Sequence, residues 1–178
     1  DPNASEEPVT EEEIRMMVDV GGEKGVIEDS QKEMINNIFE FDDLDAGDIM
    51  THRTDMTAAE ISDPLSEIVS LSMDNGYSRI PVYDDDPDNI VGIAYVKDLL
   101  KYIGTDLPED VTLRDIIREP VFVPESMPCG DLFKQMTDKH TQMAIVVDEF
   151  GGTAGIVTLE DVLESIVGNI QDEYDDEE

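Results

Sequence analysis

Apolar residues along this chain follow two rhythms that alternate in a fixed order. Leu65, Ile68, Val69 and Met73 recur at helical spacing behind Pro64, a residue suited to a first helical turn. "RIPVY" (79–83) then predicts a strand, "DDDPDN" (84–89) a turn and "IVGIAYV" (90–96) a second strand. Leu99, Leu100 and Ile103 resume the helical spacing. The same order returns downstream. Leu132, Phe133 and Met136 form a stripe, "MAIVV" (143–147) a strand, "DEFGG" a turn and "AGIVT" (154–158) a strand. Val162, Leu163, Ile166 and Val167 close this set with another helix. Short extended pieces around 56–61 and 121–123 precede the two sets.

A shift of 63 residues lays one set on the other: Gly92 meets Gly155, Ile93 meets Ile156, Asp98 meets Asp161, Leu100 meets Leu163, Ile103 meets Ile166 and Met73 meets Met136. Each copy is β-α-β-β-α over roughly 60 residues, a size that buries little surface alone. The expected fold is therefore α+β, two copies sharing a core with pseudo-twofold symmetry. Upstream, Thr10–Glu13 predicts a capping box for a helix bearing Ile14, Met17 and Val18, which "DVGGEKG" breaks. Ser30–Glu33 predicts a second box, for a helix with Met34, Ile35, Ile38 and Phe39 on its apolar side. The organisation read from this is leader and connector helices over 1–42, repeats over 43–104 and 105–170, and an acidic tail over 171–178.

Composition narrows the function. Forty-five acids against eleven Lys and Arg give a net charge of −34, a surface that repels nucleic acid and anionic lipid. An anionic ligand would need local compensation from helix N-termini, the few basic residues or a metal ion. The single cysteine, Cys129, excludes an internal disulfide and fits a reducing compartment. No apolar run approaches the ~20 residues of a bilayer span and no signal peptide opens the chain, so the polypeptide as given is expected to be soluble, without direct membrane insertion.

Candidate chemistry concentrates in "GGTAGIVTLEDVLESIVGNI" (151–170). The glycines fall between two strands, where a hairpin turn is the better account than a dinucleotide fingerprint, which opens a helix after a strand. Thr158 and Asp161 sit on the first turn of the last helix. A carboxylate there accepts hydrogen bonds from both hydroxyls of a ribose, and the hydroxyl reaches sugar or phosphate. Thr-x-x-Asp is equally an approximate capping box, and the two roles are compatible. In the first copy Tyr95 replaces the threonine while Asp98 remains, which predicts two unequal clefts. Asp84, Asp86 and Asp88 alternate as in a calcium loop, but Asn89 and Tyr95 stand where that loop needs Gly and Glu. A solvated turn is expected. Catalytic signatures are missing from the sequence: Cys129, His52 and His140 are isolated, and no zinc spacing, nucleophile elbow or Walker loop occurs, so no enzymatic activity is expected.

Tandem β-α-β-β-α units with an apolar "GIVTLED" junction resemble the CBS-domain pair, or Bateman module. "DIMTHRTDM" (48–56), "GYSRIPVYDDDPDNIVGIAYVKDLL" (76–100) and "MAIVVDEFGGTAGIVTLEDVLESIVGNIQDE" (143–173) are similar to the cytosolic part of the CorC/CNNM family of hemolysin-like magnesium and cobalt transport or efflux proteins. His52 departs from the family's usual proline. The resemblance implies an adenine nucleotide, ATP with Mg²⁺ or else AMP, bound between the repeats. It places Tyr77, Ser78, Arg79 and Pro81 at the border of the better cleft, with Thr51 and Met56 from the preceding segment. Ile156 and Val157 would flank the base beside Thr158 and Asp161, and Arg79, one of five arginines, would meet phosphate. Tyr95, Asp98 and Thr141 would form the weaker cleft. The resemblance further implies a homodimer of CBS pairs, a transmembrane domain in the same full-length chain, and a cytoplasmic location beneath an inner or plasma membrane. Rival expectations are a ligand-free structural or dimerisation module and a direct divalent-cation sensor.

Overall fold

The computed structural model describes residues 8–102 and 105–168. Two leading helices, α1 (Glu11–Glu23) and α2 (Asp29–Phe41), precede the short helix α3 (Ala46–Ile49) and strand β1 (Thr51–His52). The first repeat follows as β2 (Ala59–Glu60), α4 (Leu65–Asn75), β3 (Arg79–Asp84) and β4 (Asp86–Tyr95), ending in a 3-10 turn over Val96–Tyr102. The second runs α5 (Leu113–Ile116), β5 (Phe122–Pro124), α6 (Cys129–Asp138), β6 (Met143–Val147), β7 (Thr153–Thr158) and α7 (Leu159–Val167). Ile103, expected in the first repeat's last stripe, lies outside the described residues, as do the whole acidic tail (171–178) and leader positions 1–7.

Backbone register reproduces the repeat. Ala59 pairs with Val82 in the first sheet and Phe122 with Ile145 in the second, both parallel and both offset by the same 63 positions. The sheets are β2-β3-β4 and β1-β7-β6-β5. Each buries one face beneath helices. Ile68, Ile80, Val82 and Leu113 fill the first core; Leu132, Met136, Val146, Val157 and Val162 fill the second. A third cluster, Ile90, Ile93, Met143 and Ile145, joins the repeats.

The fourth strand of the larger sheet crosses over from the other repeat. β1 leaves the first repeat's leader and pairs antiparallel with β7, Thr51 opposite Ile156 and His52 opposite Gly155. A reciprocal bridge joins Arg118, in the second repeat's leader, to Ile93. This crossing explains the shared glycines. A Cβ at Gly155 would collide with the Thr51 carbonyl, and one at Gly92 would lie 2.7 Å from Ile117 Cδ1.

Several local expectations change for physical reasons. α1 continues through Gly21 and Gly22 to Glu23, because Gly21 lies against Ile27 and the left-handed turn comes only at Gly25. α2 is capped two residues earlier than Ser30: Gln31 Oε1 accepts from the Glu28 amide at 3.1 Å, and Ser30 is inside the helix. The turn at 84–89 is narrower, with Asp85 alone at positive φ and β4 already extended from Asp86. Leu100 is exposed because a 3-10 turn has three residues per turn, which directs Val96, Leu99 and Tyr102 inward instead. On α7 the inward stripe is Leu159, Val162 and Ile166, leaving Leu163 at the surface; Met73 on α4 is also exposed. Among the described residues, no helix is long and apolar enough to cross a membrane.

Candidate functional site

β7 delivers Thr158 to the start of α7, and the local chemistry there is a reciprocal capping box. Thr158 Oγ1 accepts from the Asp161 amide at 3.2 Å, while Asp161 Oδ2 accepts from the Thr158 amide at 2.9 Å. One carboxylate oxygen of Asp161 is left for other partners. Both residues open onto a cleft of about 310 Å³, within the roughly 300–1,000 Å³ typical of small-molecule sites.

The cleft is assembled from three segments. Ile156 and Thr158 come from β7, with Met143 of β6 beside them. Gly76, Tyr77, Ser78 and Arg79 come from the first repeat, where Gly76 adopts the left-handed cap (φ 73°) that turns the chain from α4 towards β3. Thr51, Asp55, Met56 and Thr57 come from the crossing segment, whose 3-10 turn over Arg53–Asp55 closes with the Met56 amide donating to the Arg53 carbonyl. Eight of the ten residues expected in this cleft therefore line one cavity. Pro81 and Val157 do not, and their sequence-based placement is corrected. Both are fully buried: Val157 points into the helical core by strand alternation, one position out of phase with Ile156 and Thr158, and Pro81 lies opposite Ile93 where the repeats meet.

Acids dominate the rim. Asp55, Glu160 and Asp161 face a single cation, Arg79. Arg79 Nη2 donates to Glu160 Oε1 at 2.8 Å, an ion pair joining the two repeats, with the Arg79 side chain only 17% exposed. Burial pushes the Glu160 carboxyl up, but the hydrogen bond from Arg79, hydrogen bonds from its own backbone amide and from Thr158, and the Arg79 charge together outweigh it and hold the group below the ordinary carboxylate range. The Arg79 Nε is buried without a partner. Helix donors are largely committed: the Leu159 amide donates to the Gln142 carbonyl and the Asp161 amide to Thr158. Arg79 is thus the main group in this cleft able to face an anion. Glu160, Asp55, Thr57 and Met143 were missed by sequence reasoning; Glu160 stood inside "TLED", and its pairing across the repeats left no local signal.

The second predicted cleft is different. Asp98 accepts both a 2.9 Å and a 2.8 Å hydrogen bond from Arg118, whose guanidinium carbon lies 4.2 Å from the Tyr95 ring centroid. The hollow beside Asp98 is lined by Lys97, Lys101, Asp115 and Ile116, and neither Tyr95 nor Thr141 takes part in it. Thr141 is tied to α6 through its amide, which donates to the Met136 carbonyl at 2.8 Å. Of the three residues expected together, Asp98 and Tyr95 are bridged by Arg118, and Thr141 does not line the hollow beside them.

Asp84, Asp88 and Asp148 make structural contacts. Asp88 pairs with Arg53 and accepts from the Thr153 amide at 3.0 Å, Thr153 Oγ1 donates to the Pro87 carbonyl, and Asp84 meets Arg114. Among the described residues, no group of three or more His, Cys, Asp or Glu side chains is arranged to hold a metal ion. In the β6–β7 hairpin, Asp148 Oδ1 accepts from the Phe150 and Gly152 amides, and Gly151 supplies the positive φ. At α6, burial, then Asp48 and Asp45, pushes the Cys129 thiol up to about 11.

A family model described as the CBS domain matches residues 46–105 and again 111–168. The solved CBS domain of a bacterial CNNM/CorC family Mg²⁺ transporter is 44% identical, superposes with a TM-score of 0.84 and covers 92% of this chain and 99% of its own. The corresponding structure in complex with ATP is 47% identical, with a TM-score of 0.73 over 77% of this chain and 96% of that one. The magnesium and cobalt efflux protein CorC of Vibrio cholerae is 38% identical over 172 residues, 97% of this chain and 59% of the relative. Across the curated relatives, the chain spans from 27% to 59% of their length.

Proposed function

The chain belongs to the CBS-domain family, as a CBS pair of the CNNM/CorC type, and from that membership we propose that it is a regulatory module binding an adenine nucleotide in the cleft between Arg79 and Asp161. The observation that carries this reading is the cleft itself. A free carboxylate oxygen and a threonine hydroxyl line the cleft with an apolar wall of Met143 and Ile156 and one half-buried arginine, Arg79. Asp161 would accept the ribose hydroxyls, the apolar wall would take the base, and Arg79 would meet phosphate on releasing Glu160. With three rim acids against one arginine, a polyphosphate is favoured with Mg²⁺ to offset charge, and AMP, carrying less charge, is the simpler occupant. The ATP complex of the similar domain supports the ligand class.

Regulation requires the ligand to favour one arrangement over another. A physical route exists. α7 starts at the cleft and ends against α2, where Asn37 Nδ2 donates to the Ile166 carbonyl at 3.0 Å. Ligand at one end of α7 would thus bias the leading helices at the other, and in a full-length protein pass to a membrane domain handling divalent cations. Association of two CBS pairs and a cytosolic position belong to the same proposal.

Isothermal calorimetry with ATP, ADP and AMP, each with and without Mg²⁺, tests it. Saturable binding by at least one nucleotide is expected, weakened in Asp161→Ala. No heat with any of them rejects the reading, and unchanged affinity in the variant removes the site.

A further inference from the structure

Arg118 occupies the place in one half of the molecule that Thr51 holds in the other. Thr51 crosses to pair with Ile156, and Arg118 crosses to pair with Ile93, its amide and carbonyl both bonded to Ile93 at 2.9 Å. Ile93 and Ile156 are counterparts in the repeat, so the two crossing residues are counterparts too. The leaders differ beyond that point: eight positions separate Thr51 from Ala59, and four separate Arg118 from Phe122. The extra residues of the first leader are the Asp55–Thr57 wall of the open cleft. The second leader has no such wall and an arginine instead.

That arginine satisfies the positions a ligand would address. Asp98 and Tyr95 correspond to Asp161 and Thr158. The guanidinium presents two N–H donors to Asp98, as a sugar's paired hydroxyls would to a carboxylate, and its central carbon lies 4.2 Å from the Tyr95 ring centroid, so the same group covers the position that corresponds to Thr158. The hydrogen bond from Arg118 holds Asp98 below its ordinary range, with the carboxylate fully available to the fork. Lys97 and Lys101 line the adjoining hollow of about 370 Å³, so cations for a phosphate are already present.

We propose that Arg118 is a built-in occupant of the second cleft, standing in for the sugar of an adenine nucleotide and limiting each chain to one bound ligand. This rests on the ligand class assigned above to the Asp161 cleft. It makes Arg118 and Tyr95 the residues that set stoichiometry, and it makes the second cleft a latent nucleotide site.

The test removes the first cleft from the count. In an Asp161→Ala background, Tyr95→Thr and Arg118→Thr are added together, giving the second cleft the residues of the first. Calorimetry with AMP and with ATP plus Mg²⁺ is expected to show one saturable site per chain, at least about tenfold tighter than in the Asp161→Ala parent. A triple variant with native circular dichroism and no gain overturns the proposal. Should the triple variant not fold, the wild-type Arg118 Nε–H resonance decides. It should persist at neutral pH and be lost in Asp98→Asn; a freely exchanging Nε–H in the wild type overturns the inference. Wild-type binding that disappears in Asp161→Ala, without gain in the triple variant, refutes this inference alone. Absence of wild-type binding with gain in the triple variant refutes the first-cleft reading alone.

Discussion

The Asp161 and Asp98 halves of the molecule start from one backbone plan and arrive at opposite surfaces. Both have a glycine where a leader crosses, an isoleucine beside it and an aspartate on the first turn beyond the strand. In one half a threonine crosses and a cleft of about 310 Å³ remains; in the other an arginine crosses and pairs with the aspartate. The repeat thus keeps the two crossings and the two aspartates in place, while what each aspartate meets is set by which side chain arrives from the partner repeat. The aspartates alone do not distinguish the halves.

The comparison can be broken most severely at the crossings. Gly155→Ala sets a methyl against the Thr51 carbonyl, which the backbone cannot move aside, and should cost about 3 kcal/mol. Gly92→Ala meets Ile117 at its Cβ, 2.8 Å away, as well as at the more mobile Cδ1, so rotation alone does not clear it and the change should cost about 2 kcal/mol. Chemical denaturation of both variants checks the order, and equal losses would show that the crossings are equivalent after all. Next in size is ligand affinity. Asp161→Ala should weaken nucleotide binding at least about tenfold and, by losing the cap, cost about 1 kcal/mol of stability. Asp98→Ala should leave affinity unchanged, and a matching loss would mean that both halves bind. Smaller still is Glu160→Gln, which removes the charge Arg79 now neutralises and should tighten ATP about threefold by titration; weaker binding would assign Glu160 to the ligand itself.

The smallest effect is in pH dependence. Asp98 is held below its ordinary value of 3.8 by Arg118, so its contribution is present above that pH and fades as pH falls through the lowered value. Thermal melts of the wild type and Asp98→Asn should therefore differ slightly at pH 7 and converge near pH 2. A difference that persists there would place the effect in packing rather than charge.

Much of the fold was legible because the repeat supplied each element twice. β6 occupies the span its apolar run predicted, and the parallel pairing of β2 and β5 fits the extended pieces that precede each set. Elements set by tertiary partners were not legible. α3 and α5 are single turns defined by Asp45–Asp48 and Thr112–Asp115 capping pairs, too short for any periodicity. β1 is two residues long, and its partner is more than a hundred positions away. The site was partly legible because Thr158 and Asp161 carry both their cap and their exposure in one local motif. Val157 was misplaced because an apolar run hides the alternation that decides which face each residue takes, and Arg118 was missed because nothing near it in sequence contains Asp98.

The stitching of β1 into the far sheet has a consequence for how the chain is made. As the polypeptide leaves the ribosome, Thr51 and His52 emerge long before β7, so the strand waits, unpaired, until Ile156 is synthesised. The larger sheet therefore gains its fourth strand only once both repeats are made, and a second repeat cut away from the first repeat's leader would expose the β7 edge that β1 covers.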